Sequence, residues 1–142
     1  MEMEKKATRW LVLLLRVDGV FMASALIAAL MPFAWMGVGH EWLGMGELER
    51  SPVVEYLARS ASLLYCLVGL MQIYMTVDIR RYYPIVRFMM IARIGVGAVM
   101  LWIDLVSSMP TMWTAGEGPM WIVLSVVALW LGKKARLGGP GA

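Results

Sequence analysis

A single cysteine, Cys66, leaves the chain without an internal disulfide or a Cys-x-x-Cys pair, which excludes thiol–disulfide exchange as an autonomous activity. A single histidine, His40, excludes a bis-histidine haem within one subunit and removes any basis for a Ser-His-Asp hydrolytic site. Charge is scarce as well. Asp, Glu, Lys and Arg make up 16% of the residues, against about 25% in soluble domains, so a solvated surface on all sides is not available. The formal net charge of +3 does not gather into one basic stripe, and nucleic acid is not an expected partner. What dominates is apolar: 61% of 142 residues, with a mean hydropathy of +0.70. That length is one domain, and its solvent is a lipid bilayer.

Four apolar stretches, about 10–33, 53–77, 85–106 and 119–134, alternate with short polar links. At a rise of 1.5 Å per residue, the first three are each roughly 33 Å or longer and cross a hydrocarbon layer of about 30 Å. The fourth is shorter, and it crosses only with help from helix continuing to Lys134, a thinner bilayer or a dip by Thr114 to Gly118. Lys5, Lys6, Arg9, Arg80, Arg81, Lys133, Lys134 and Arg136 fall on alternate links, while the other links carry Arg50 against Glu41, Glu47, Glu49 and Glu117. The positive-inside rule then places both termini in the cytosol of a bacterial inner membrane. The basic start followed by LVLLL resembles a signal peptide, yet hydrophobicity continues past Arg16 and Asp18 to Phe33, which predicts an uncleaved anchor.

Pro52, Pro84 and Pro119 stand at the starts of apolar runs, where the first helical turn has no use for the missing N–H. Trp10, Tyr82 and Tyr83 mark the inner interface, and Trp35, Trp42, Tyr56, Trp102 and Trp113 the outer one. The expected fold is all-α: an up-and-down four-helix transmembrane bundle over residues 1–136, with a flexible tail at 137–142.

The charged residues inside the spans select faces. In the second span Glu55, Arg59, Ser62, Cys66, Gly69 and Thr76 recur at helical spacing on one side, and in the third Arg93, Gly97, Met100 and Asp104 do the same. In the first span Asp18 and Arg16 point about 200° apart, so one faces inward. Asp18 is expected inside, because the long stem of Arg16 reaches the headgroups. Asp18 and Arg93 both lie about 12 to 13 Å from the cytosolic edge and are matched for pairing near mid-membrane. Glu55, Arg59, Asp104 and Glu117 are expected to form a second cluster beneath the outer surface, with Trp113 beside it. A charge near the bilayer centre costs about 2.5 to 3.5 kcal/mol, so these residues act as helix staples, line a polar pocket or form an ion path.

Other signals are weaker. Met31, Met36, Met45, Met109 and Met112 gather near His40 and suit Cu(I) by softness, but flexible packing accounts for methionine in lipid, and no metal is expected. GVGH and GMGE lack the strand-to-helix setting of a phosphate loop and read as turns. The stretch IDLVSSMPTMWTAGEGP, with an acid, a proline turn, Trp113 and Glu117 before a helix start, is singled out as functional or architecturally special.

The segments LLLRVDGVF, YLARSASLLY, VDIRRYYP and IDLVSSMPTMWTAGEGP, in this order, resemble an uncharacterised group of small bacterial four-helix inner-membrane proteins. More remotely, with Arg16 followed by Gly19 in the first helix, the layout is similar to the DoxX-like families. The resemblance implies an accessory membrane subunit or a binder of a small lipophilic molecule, a quinone or a lipid. The leading expectation is a non-enzymatic accessory or ligand-binding module with a charged pocket lined by Glu55, Arg59, Arg93 and Asp104, whose candidate partners are a lipophilic small molecule and a membrane protein. The rivals are a subunit of a quinone- or lipid-linked membrane enzyme and a proton-coupled transporter.

Overall fold

The computed structural model describes residues 1–137, whose regular secondary structure is helical. Helices α1 (Glu2–Ala23) and α2 (Ala25–Leu30) form one 29-residue span. It is interrupted at Ser24, whose hydroxyl donates to the Phe21 carbonyl at 2.6 Å and competes with the helical ladder there. α3 (Phe33–Trp42) follows Pro32, α4 (Pro52–Met75) is the second span, and α5 (Ile79–Val106) is the third. α6 (Thr111–Gly116) and α7 (Gly118–Lys134), broken at Glu117, together make the fourth. These four are long and apolar enough to cross a membrane, and the chain is a multi-pass membrane protein.

Capping chemistry places the starts. The Ser51 hydroxyl accepts from Val54 N–H at 3.2 Å with Pro52 in the first turn, and the Asp78 carboxylate accepts from Arg81 N–H at 3.2 Å. The second cap corrects the expected start at 85: α5 begins before Pro84, which lies inside the helix and leaves the Arg80 carbonyl without its usual donor. GVGH is also not a turn, because it lies within α3, whereas GMGE opens at the turn of Leu43 and Gly44 that ends α3, with Gly44 and Gly46 at φ of +77° and +79°. The first link thus holds a helix where none was expected.

α5 and α7 each end in a Schellman motif. Met109 N–H returns to the Asp104 carbonyl at 2.9 Å, and Leu137 N–H returns to that of Gly132 at 3.2 Å. Their left-handed positions are taken by Ser108 and Arg136, at φ of 52° and 53°. A Cβ there carries a cost that glycine avoids. Ser108→Gly is therefore expected to raise stability by roughly 0.5 to 1 kcal/mol, read as a higher thermal midpoint in detergent. Leu137, expected to begin a loose tail, is buried at 2% exposure; positions 138–142 of that expected tail lie outside the described residues.

α1 packs on α4 and α7, and α5 packs on α7, while the consecutive helices α4 and α5 touch sparingly. Two glycine crossings set the close pairs. Gly19 faces Gly69 between α1 and α4, and Gly97 faces Gly118 between α5 and α7, each with backbone of the partner helix where a Cβ would stand. Glu4 and Arg136 meet at 3.1 Å, so the two described chain ends share one end of the molecule. The apolar core belongs to that terminal half, with Leu11, Leu15, Met75, Val86, Met90 and Ala128 among its members. Tyr83, expected at an interface, belongs to this core and packs on Gly132.

Candidate functional site

One turn beyond the apolar core, each span places a buried polar residue in the same layer. Asp18 follows Leu15 on α1, Arg93 follows Met90 on α5, Gln72 precedes Met75 on α4, and Ser125 precedes Ala128 on α7, each by three residues. The spans alternate in direction, so these offsets converge at one depth. Arg93 donates to both oxygens of Asp18, through Nη1 to Oδ2 and through Nη2 to Oδ1 at 3.4 Å. Gln72 donates from Nε2 to Asp18 Oδ2 at 2.7 Å and to the Leu15 carbonyl at 3.0 Å, and its Oε1 accepts from Arg93 Nη1 at 3.3 Å. The expected pairing of Asp18 with Arg93 is thus present, completed by a glutamine that sequence reasoning passed over.

Opposite charges taken from water together balance, and Gln72 adds one donor to Asp18 and one acceptor to Arg93. Two groups of the layer are left over: Arg93 Nε and Ser125 Oγ are buried without hydrogen-bond partners. The guanidinium also stacks over Trp121, 5.2 Å from the ring centroid. Between α4 and α5, where the spans part, a cavity of about 360 Å³ opens sideways with Leu64, Tyr65, Val68, Phe88, Arg93 and Trp121 among its walls. Its lining is almost wholly apolar, and Arg93 presents almost no polar surface to it. A volume of that order lies at the lower end of the range for small-molecule pockets.

Nearer the loop end, Glu117 accepts from the Tyr65 hydroxyl at 3.2 Å and from Trp113 Nε1 at 2.8 Å. Tyr65 meets Trp121 edge-on at 5.6 Å, which joins this group to the cavity wall. Asp104 is buried on the stripe of α5 that carries Arg93, and its Oδ2 has no hydrogen-bond partner. A buried oxygen without a donor is costly, which makes Asp104 the least satisfied carboxylate among the described residues.

The cluster expected from Glu55, Arg59, Asp104 and Glu117 is not a single unit. Arg59 pairs with Glu55 at 2.8 Å, one turn back on its own helix, and donates through Nη1 to the carbonyl of Ala29 at the end of α2. It therefore caps the first span against the second instead of reaching Asp104. Similar depth brought these residues to one level, but their helices turn them toward different neighbours. Arg16, as expected, is exposed, and it donates to the Thr76 hydroxyl at 2.9 Å. Tyr65, Gln72, Trp121 and Ser125 were not singled out from sequence. The signal for Gln72 and Ser125 was their three-residue offset from a buried apolar position, readable only once the core is known.

Comparison of the chain with family models, with curated proteins and with solved structures finds no match.

Proposed function

We propose that this chain is a non-enzymatic up-and-down four-helix bundle of a bacterial inner membrane, with both termini cytosolic, that binds a small lipophilic molecule as an accessory module. The clustering of Lys and Arg at the terminal end supports the orientation. One observation carries the binding reading: an almost wholly apolar lateral cavity opens between α4 and α5, bordered by the buried Arg93 and by Tyr65 and Trp121. A concave apolar surface of this size buries a small apolar molecule favourably. Asp18 already balances the guanidinium charge, so the fitting ligand is neutral and largely apolar. A quinone or a lipid ester meets that description, and the DoxX-like resemblance points the same way.

Native mass spectrometry of the purified protein tests this reading. A neutral lipophile is expected to co-purify at up to one per chain. Ala92→Trp, which fills the cavity mouth from a lipid-exposed position, is expected to abolish it while the thermal midpoint stays within a few degrees. Absence of any lipophile from the parent protein, or equal retention by the filled variant, removes the reading.

A further inference from the structure

A second cavity lies on the other side of the molecule, between α1 and α7, and it belongs to no group described above. It measures about 760 Å³ and is walled by Leu13, Leu14 and Val17 of α1 and by Val127 and Leu131 of α7. Its terminal end is marked by Lys6 and Lys134, with Trp10 and Trp130 just inside. From Lys6 to Val17 the helical rise spans about 16 Å, close to half of a hydrocarbon layer of about 30 Å. The groove is therefore one leaflet long.

Its charge is equally one-sided. Lys134 sits over the Trp130 ring, 3.8 Å from the centroid, and neither Lys6 nor Lys134 has a carboxylate partner among the described residues. The nearby acid Glu4 is engaged by Arg136. Two ammonium groups without carboxylate partners thus stand at the mouth of an apolar channel that runs down the membrane-facing side of the protein. We propose that this groove is a binding site for one anionic phospholipid, its acyl chain between α1 and α7 and its phosphate between Lys6 and Lys134. Charge complementarity selects an anionic headgroup over a zwitterionic one, and the tryptophans sit at the level of the glycerol backbone, where their rings are favoured.

The test uses the full chain in detergent, mixed with equal amounts of phosphatidylglycerol and phosphatidylcholine of identical acyl chains, with bound lipid counted by native mass spectrometry. Phosphatidylglycerol is expected to exceed phosphatidylcholine by roughly 25-fold, about five-fold for each lysine at an anionic headgroup. Lys6→Gln with Lys134→Gln brings the ratio close to one. Lys6→Arg with Lys134→Arg keeps it, separating lost charge from lost fold. Arg80→Gln with Arg81→Gln, which removes charge elsewhere in the cytosolic set, leaves it unchanged. Val17→Trp, which blocks the deep end of the groove, lowers retention of both lipids. The proposal is overturned by equal retention of the two lipids in the parent, or by a loss of preference in the Arg80/Arg81 variant as large as in the Lys6/Lys134 variant. Displacement of the lipid by millimolar glycerol phosphate overturns it too, since the site would then serve a soluble phosphate.

Discussion

Arg93→Leu is expected to cost about 3 to 5 kcal/mol, because it strands the Asp18 carboxylate and half of the Gln72 amide in the polar layer. Asp18→Leu alone is expected to cost as much, by leaving a buried guanidinium. Leucine at both positions removes the charges together and is expected to recover most of the loss, as replacement of a buried ion pair by apolar side chains often does. For a chain of this length the single changes correspond to a fall of roughly 10 to 20 °C in the midpoint of thermal unfolding in detergent. The double variant also separates the two roles of the pair. A folded double variant that has lost the co-purifying lipophile assigns Arg93 a part in binding. If that variant keeps the lipophile at parental levels, the pair is a staple and the ligand reading centred on Arg93 fails.

Gly69 is the position where the smallest addition is expected to have the largest effect. A Cβ there would stand 2.5 Å from the Gly19 carbonyl oxygen and 2.6 Å from the Ala23 nitrogen, both backbone atoms that cannot swing aside. Gly69→Ala is expected to lose about 1 to 3 kcal/mol as α1 and α4 are forced apart, and Gly69→Leu to fail to fold. The damage reaches the polar layer, because Asp18 adjoins Gly19 and Gln72 lies one turn from Gly69, so the bond between them lengthens with the crossing. Gly95 is the control. Nothing lies within 4 Å of its added Cβ, and Gly95→Ala is expected to be neutral or to stabilise by up to about 1 kcal/mol through helix propensity. Thermal midpoints of the three variants, measured side by side, check the contrast. An unaffected Gly69→Ala would mean that the α1–α4 crossing is looser than described.

The sequence alone was enough to establish the spans, since apolar runs of that length have no other stable solvent. It also set the opposite roles of Asp18 and Arg16, because two residues two apart on a helix cannot share a face. The pairing of Asp18 with Arg93 was legible for a related reason: depth follows from counting residues. Counting does not give azimuth or neighbour order, and here tertiary structure decided. The Gly19–Gly69 and Gly97–Gly118 contacts draw α1 to α4 and α5 to α7, which turns Arg59 toward Glu55 and the end of α2 and leaves Asp104 apart from it. The same two contacts leave α4 and α5 sparingly joined, with the lateral cavity between them. Hydropathy could not announce the entry of Gln72 and Ser125 into the layer of Asp18 and Arg93, because a lone amide or hydroxyl barely changes the apolarity of a span. Only the convergence of four helices at one depth makes those side chains neighbours.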